Sequence, residues 1–72
     1  MKQKVLDILK EVLELDTVDN TCAQNNCDKW DSMAQLNISV ELESEFDVSL
    51  EPEDIAQLTS VEAIIKVLNN KL

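Results

Sequence analysis

Ser32-Met33-Ala34-Gln35-Leu36-Asn37-Ile38-Ser39-Val40-Glu41-Leu42-Glu43-Ser44-Glu45-Phe46 is the stretch whose reading decides the fold. Leu36, Ile38, Val40 and Leu42 alternate with Asn37, Ser39 and Glu41, which is the period of a half-buried strand. The same residues also suit a helix. Met33, Leu36 and Val40 then form one row, and Ile38, Leu42 and Phe46 a second. Helix is the better reading, because no Gly or Pro interrupts the run and no turn or second strand is available to pair with it. Two apolar rows predict a helix packed on two sides, central to a bundle.

The residues before this helix carry its start signal. Asp31 and Ser32 are both favoured N-caps, because their side-chain oxygens accept hydrogen bonds from free backbone N–H groups. A phosphate ester at such a point would also be favoured by the helix dipole and those same donors. The dipeptide alone does not choose between a plain cap and a modified serine.

Further out, Lys2–Leu15 reads as a helix. Val5, Leu9 and Val12 make one apolar row and Leu6, Leu9 and Leu13 the adjoining one. Residues 16–31 form a long loop rich in Asp, Asn and Thr, and loops of this length are often functional. Its Val18 and Trp30 can pin it to the core; for Trp30 packing is the favoured reading and a partner contact the alternative, since Trp is enriched in both settings. Downstream, Pro52 suits a first helical turn, with Glu53 and Asp54 near the positive end, predicting a short helix over Pro52–Leu58. Thr59-Ser60-Val61-Glu62 reads as a capping box, with Thr59 as cap and Glu62 reaching back. The last helix runs over 60–70, its Val61, Ile64, Ile65 and Leu68 on one side. The whole chain, 1–72, is expected to be one all-α domain, a small four-helix bundle of three main helices and one short third helix.

Composition narrows the chemistry. The 72 residues carry 15 Asp+Glu against 6 Lys+Arg, a net charge of -9. Such a surface repels nucleic acid and anionic membranes and suits protein partners with basic patches. Residues 1–15 lack a continuous apolar core for a signal peptide, and no run approaches the ~20 apolar residues of a membrane span. A cytoplasmic monomer is the expectation. There is no His, Tyr or Arg, hence no Ser–His or Cys–His pair, and the chain is poorly equipped as an enzyme. Cys22 and Cys27 are two ligands short of a structural zinc site and are expected as reduced thiols against the core. Asp16, Asp19, Asp28 and Asp31 could attract a cation, but the Gly and terminal Glu of a calcium loop are missing, so no metal is expected.

From Trp30 to Leu68 the chain resembles the acyl carrier proteins and their peptidyl carrier relatives. The resemblance rests on Asp31-Ser32-Met33, where the family has Asp-Ser-Leu, on Leu42-Glu43-Ser44-Glu45-Phe46-Asp47, and on Thr59-Ser60-Val61 opening the last helix. It implies a non-enzymatic group carrier. Ser32 would hold a 4'-phosphopantetheine arm derived from coenzyme A, whose terminal thiol bears acyl or aminoacyl groups as thioesters. Asp31 would be the flanking acid. Trp30, Met33, Asn37, Glu41, Glu43 and Glu45 would be candidate partner contacts, and Ser39, Leu42, Phe46, Leu50, Ile55, Leu58 and Ile64 would line a cleft for the acyl chain. The implied partners are a phosphopantetheinyl transferase and the ligases, acyltransferases or synthases of fatty acid, polyketide or nonribosomal peptide biosynthesis.

The chain also departs from the pattern. Lys29-Trp30 stands where many members have Gly or Leu, and Asn37 and Ser44 where fatty-acid carriers often have acids. A polar Ser39 and a bulky Ile55 would shrink the cleft and make it less apolar, which points to short or polar cargo. The competing expectation is an acidic helical protein–protein interaction module that is never modified.

Overall fold

The computed structural model describes residues 1–72, and its main elements are four α-helices: α1 (Lys2–Leu13), α2 (Ser32–Phe46), α3 (Pro52–Ile55) and α4 (Val61–Lys71). A single 3-10 turn, Gln24–Asn26, interrupts the connection from α1 to α2. The stretch that could have been a strand is α2, over the expected residues. One core is shared by all parts. It gathers Val5, Ile8, Leu9 and Leu13 of α1, Trp30 of the loop, Ala34, Ile38 and Leu42 of α2, Leu58, and Val61, Ile64, Val67 and Leu68 of α4.

On α1 the buried line runs through Ile8 rather than Val12, which with Leu6 lies at the margin. The helix ends at Leu13, two residues short of the expected Leu15. Glu14 takes the left-handed conformation, φ 54°, and the Leu15 N–H turns back to the Lys10 carbonyl at 3.0 Å. Helices commonly stop with such a residue, usually Gly. This chain has no Gly. Glu14 and, at the end of α2, Asp47 (φ 53°) therefore adopt it with a Cβ present, at a cost of about 1 kcal/mol each.

The expected double packing of α2 is corrected. Ala34, Ile38 and Leu42 face the core, whereas Met33, Leu36 and Val40 are 69%, 55% and 61% exposed. The reason is the size of the neighbours. α2 lies against α1 and against α3, and α3 is a single turn that cannot cover a second apolar row. α3 itself ends at Ile55 rather than Leu58. The next residues form tight turns instead, Gln57 N–H to Asp54 and Leu58 N–H to Ile55 at 3.0 and 3.1 Å, and these drop Leu58 into the core.

The cap of α4 is also corrected by one residue. Ser60, not Thr59, is the N-cap, its Oγ accepting the Ala63 N–H at 3.0 Å, so Glu62 is not placed to reach back. The cause lies in the long loop. Gln24 N–H donates to the Thr59 carbonyl at 2.8 Å and Val61 N–H to the Cys22 carbonyl at 3.1 Å, around an antiparallel bridge between Ala23 and Ser60. That pairing holds Ser60 extended and shifts the helix start. The loop is thus tied to α4 at its middle and to the core by Trp30 at its end.

Candidate functional site

The start of α2 combines a committed acid with a free serine. Asp31 is the N-cap, its Oδ1 accepting the Ala34 N–H at 2.9 Å and its carbonyl the Gln35 N–H at 2.9 Å. Ser32 is the first helical residue and is exposed. Since Asp31 performs the capping, the Ser32 hydroxyl is not needed for it. The first N–H groups of a helix have no partner within it and lie at the positive end of its dipole. A phosphodiester on Ser32 Oγ would sit beside them. Trp30 anchors this start from below. It is 2% exposed, and its N–H donates to the Cys27 carbonyl at 3.1 Å. Its burial corrects the expectation of a direct partner contact: Trp30 is a core residue that fixes where Ser32 emerges. Its indole N–H has no acceptor in the chain, an unmet donor of a kind that typically costs about 1–3 kcal/mol.

The other residues expected to face partners separate onto different flanks. Met33, Asn37 and Val40 lie along the outer face of α2, with Leu36 beside them, all exposed. Glu41 and Glu45, four apart, form one ridge beside that face. Glu41 is exposed, while Glu45 reaches Lys4 of α1 at 3.3 Å. Glu43 lies on the opposite flank and is half-buried, its Oε2 accepting the Leu50 N–H at 3.0 Å. Glu43 therefore shapes the connection from α2 to α3.

The residues expected to line a cleft fall at two depths. Ser39, Leu42, Leu58 and Ile64 are buried in contact with the core, and Phe46, Leu50 and Ile55 are half-buried around it. Ser39 satisfies its hydroxyl by donating to the Leu36 carbonyl at 2.6 Å. The sequence reading missed Gln35. Its side-chain Nε2 crosses from α2 to donate to the Ile55 carbonyl at 2.6 Å, twenty residues away. A Gln within a helix carries no signal of such a partner. Its i+3 spacing from Ser32 was the available hint.

The surface hollows lie elsewhere. The larger is beneath the long loop, between Val18, Thr21, Cys22, Cys27 and Lys29. Both cysteines there are free thiols and half-buried. Burial first, and then the neighbouring Cys27 and Asp19, push the Cys22 thiol up from its ordinary value, which keeps it protonated and weakly nucleophilic at neutral pH. Two hydrogen bonds from Thr21 hold the Asp19 carboxyl below its ordinary value.

What this arrangement offers is a presented hydroxyl beside free helix N–H groups, on a scaffold held rigid by Trp30 and the Asp31 cap. No helix of the chain is long and apolar enough to cross a membrane. No curated protein matches the chain. A family model described as phosphopantetheine attachment site matches residues 3–68. Its members are defined by a 4'-phosphopantetheine group, act as non-catalytic carriers, and meet a phosphopantetheinyl transferase and biosynthetic enzymes. With nearly the full length matched and an exposed serine heading α2, this chain belongs to the phosphopantetheine attachment site family.

Proposed function

We propose that Ser32 is the residue that bears the arm, and that the arm's thiol carries acyl or aminoacyl groups as thioesters between partner enzymes in the cytoplasm. The observation that carries this is the division of labour at the start of α2. Asp31 takes the cap at 2.9 Å and leaves an exposed hydroxyl at the first helical position. The phosphodiester then gains from the dipole and free N–H groups without disturbing the helix it stands on. The group's thiol supplies the reactive atom. The protein's residues hold its attachment point, keep it outside the core and present α2 to each partner. Glu41, free of intramolecular pairing, and Asp31 at the helix start favour partners with basic patches, raising encounter rate more than final affinity.

The cargo is short or polar. Ser39 and Ile55 stand at positions where a larger, more apolar cleft would need smaller or apolar side chains. Dedicated ligases, acyltransferases or synthases of a fatty acid, polyketide or peptide pathway are the enzymes that would load and unload it.

The test is intact and fragment mass spectrometry after incubation with coenzyme A and a promiscuous phosphopantetheinyl transferase. One phosphopantetheine should be gained, on Ser32, and none by Ser32→Ala. No gain by the folded wild type would favour an unmodified interaction module instead. The cargo reading fails if a long-chain acyl form melts far above the form bearing the bare arm, since that would show a deeply sequestered chain.

A further inference from the structure

α3 is held in an unusual way for an element that covers a core. It is one turn long and has no fully buried residue of its own. Two polar contacts hold its C-terminal end, at the neighbouring residues Asp54 and Ile55. On the α2 side, Gln35 Nε2 donates to the Ile55 carbonyl at 2.6 Å. On the α4 side, Lys71 Nζ meets Asp54 Oδ2 at 2.8 Å. α3 is therefore latched from two sides rather than packed as a helix.

The position of the Gln35 latch matters. Ser32, Gln35, Ser39, Leu42 and Phe46 follow one another at spacings of three and four and so share one row of α2. Along it the surroundings change from exposed Ser32 through half-buried Gln35 to buried Ser39 and Leu42. The outer half of this row is polar and the inner half apolar. A group tethered at Ser32 that turned inward along it would first meet the bond between Gln35 and Ile55. An alkyl chain entering there must break that bond, and it offers the half-buried amide nothing in return. Removing one partner of such a bond is costly because the remaining donor stays desolvated. A cargo bearing a hydroxyl or amide group close to its thioester, whose oxygen accepts, can replace the Ile55 carbonyl as the partner of Gln35.

Building on the carrier reading above, we propose that Gln35 is a cargo-selecting residue: by bridging α2 to the Ile55 carbonyl it bars alkyl chains from the interior and admits short acyl groups that carry a hydrogen-bonding substituent. Asp54 and Lys71 hold the same end of α3 from the α4 side. Gln35→Met keeps the length of the side chain and removes its donor.

The experiment uses the full chain, with wild type, Gln35→Met and Gln35→Ala each loaded from octanoyl- and 3-hydroxybutyryl-coenzyme A by the transferase. Thioester cleavage by hydroxylamine is read by mass, with circular dichroism to check folding. In wild type the 3-hydroxybutyryl thioester should be cleaved about fivefold more slowly than the octanoyl one, the protection that one hydrogen bond to Gln35 gives. In Gln35→Met the octanoyl thioester should be cleaved about tenfold more slowly, the protection given by burying about two methylenes. Gln35→Ala, which adds no bulk, should move in the same direction. A readout without the arm accompanies this. In the unmodified protein the Leu58 amide hydrogen, bonded to the same Ile55 carbonyl, should exchange about fivefold faster in either variant, as loss of one hydrogen bond implies. Protection of octanoyl already in wild type overturns the proposal, and so does equal cleavage in wild type and both variants. In either case the carrier reading stands, because loading occurred. Failure of wild type to load overturns both together.

Discussion

The two faces of α2 are made of similar residues and have opposite fates. Ile38 and Leu42 are fully buried, while Leu36 and Val40, two residues from each, are more than half exposed. Nothing in side-chain chemistry separates a Leu at 36 from a Leu at 42. The difference is the neighbour: α1 lies against one face, and only a single-turn α3 is available near the rest. An apolar residue is worth what its surroundings make of it. An uncovered apolar row beside Ser32 is then free to meet partners.

The largest effect expected from breaking this comparison is on stability. Leu42→Ala should cost about 3 kcal/mol through lost transfer energy and a residual cavity, while Leu36→Ala should stay within about 0.5 kcal/mol. Urea denaturation of both variants measures this. A comparable loss from Leu36→Ala would mean that the outer face is covered in solution.

The same contrast recurs at the start of α2, between neighbours that could both cap. Asp31→Ala should lose about 1 kcal/mol and Asp31→Asn far less, since Asn also caps. Ser32→Ala should leave thermal stability close to wild type, because Asp31 rather than Ser32 holds the Ala34 N–H. A large loss from Ser32→Ala would reassign the cap.

A third pair is the two left-handed helix ends. Glu14→Gly should raise stability by up to about 1 kcal/mol by removing the Cβ conflict. Asp47→Gly should gain less, as Asp tolerates that conformation better than Glu. Equal unfolding midpoints for Glu14→Gly and wild type would show that the strain is relieved in another way.

The smallest effect separates a paired carboxylate from the free ones. Lys71, through its hydrogen bond, and then the Glu51 N–H hold the Asp54 carboxyl below its ordinary value. A folded pKa below the unfolded one adds stability above the unfolded value of about 4, and that stability is lost as pH falls through the folded value. Asp54 in turn holds the Lys71 ammonium above its ordinary value, so Lys71's share persists to alkaline pH and is lost only as pH rises through the folded value. The gap between wild type and Asp54→Asn should therefore be level across neutral pH and close below about pH 4. Thermal melts across that range check it.

Much of the fold was readable because it depends on local chemistry. The span of α2, the Asp31 cap and Pro52 at the start of α3 each follow from a residue and its immediate neighbours. The misreadings have a common origin. Thr59 looked like a cap until the loop's Gln24 and Cys22 paired across it and moved the role to Ser60. Val12 looked buried until Ile8 took the line toward the core. Trp30 was open to two fates, and packing against the core decided for burial. The roles of Gln35 and Glu43 stayed hidden, because their partners, Ile55 and Leu50, are distant or lie in a connection whose path the sequence does not trace.

By itself the amino-acid order determined that this chain is helical, acidic and family-typical, with a serine at a helix start preceded by an acid able to relieve it of capping. These properties depend on periodicity, capping preference and charge, which act over a few residues or over the whole chain at once. Only the tertiary structure decided which of two equivalent apolar rows is buried, which residue caps α4, which acids remain free, and that Gln35 reaches across to the Ile55 carbonyl. Those outcomes depend on which surfaces meet, and a side chain distant in sequence becomes a neighbour only once the bundle has closed.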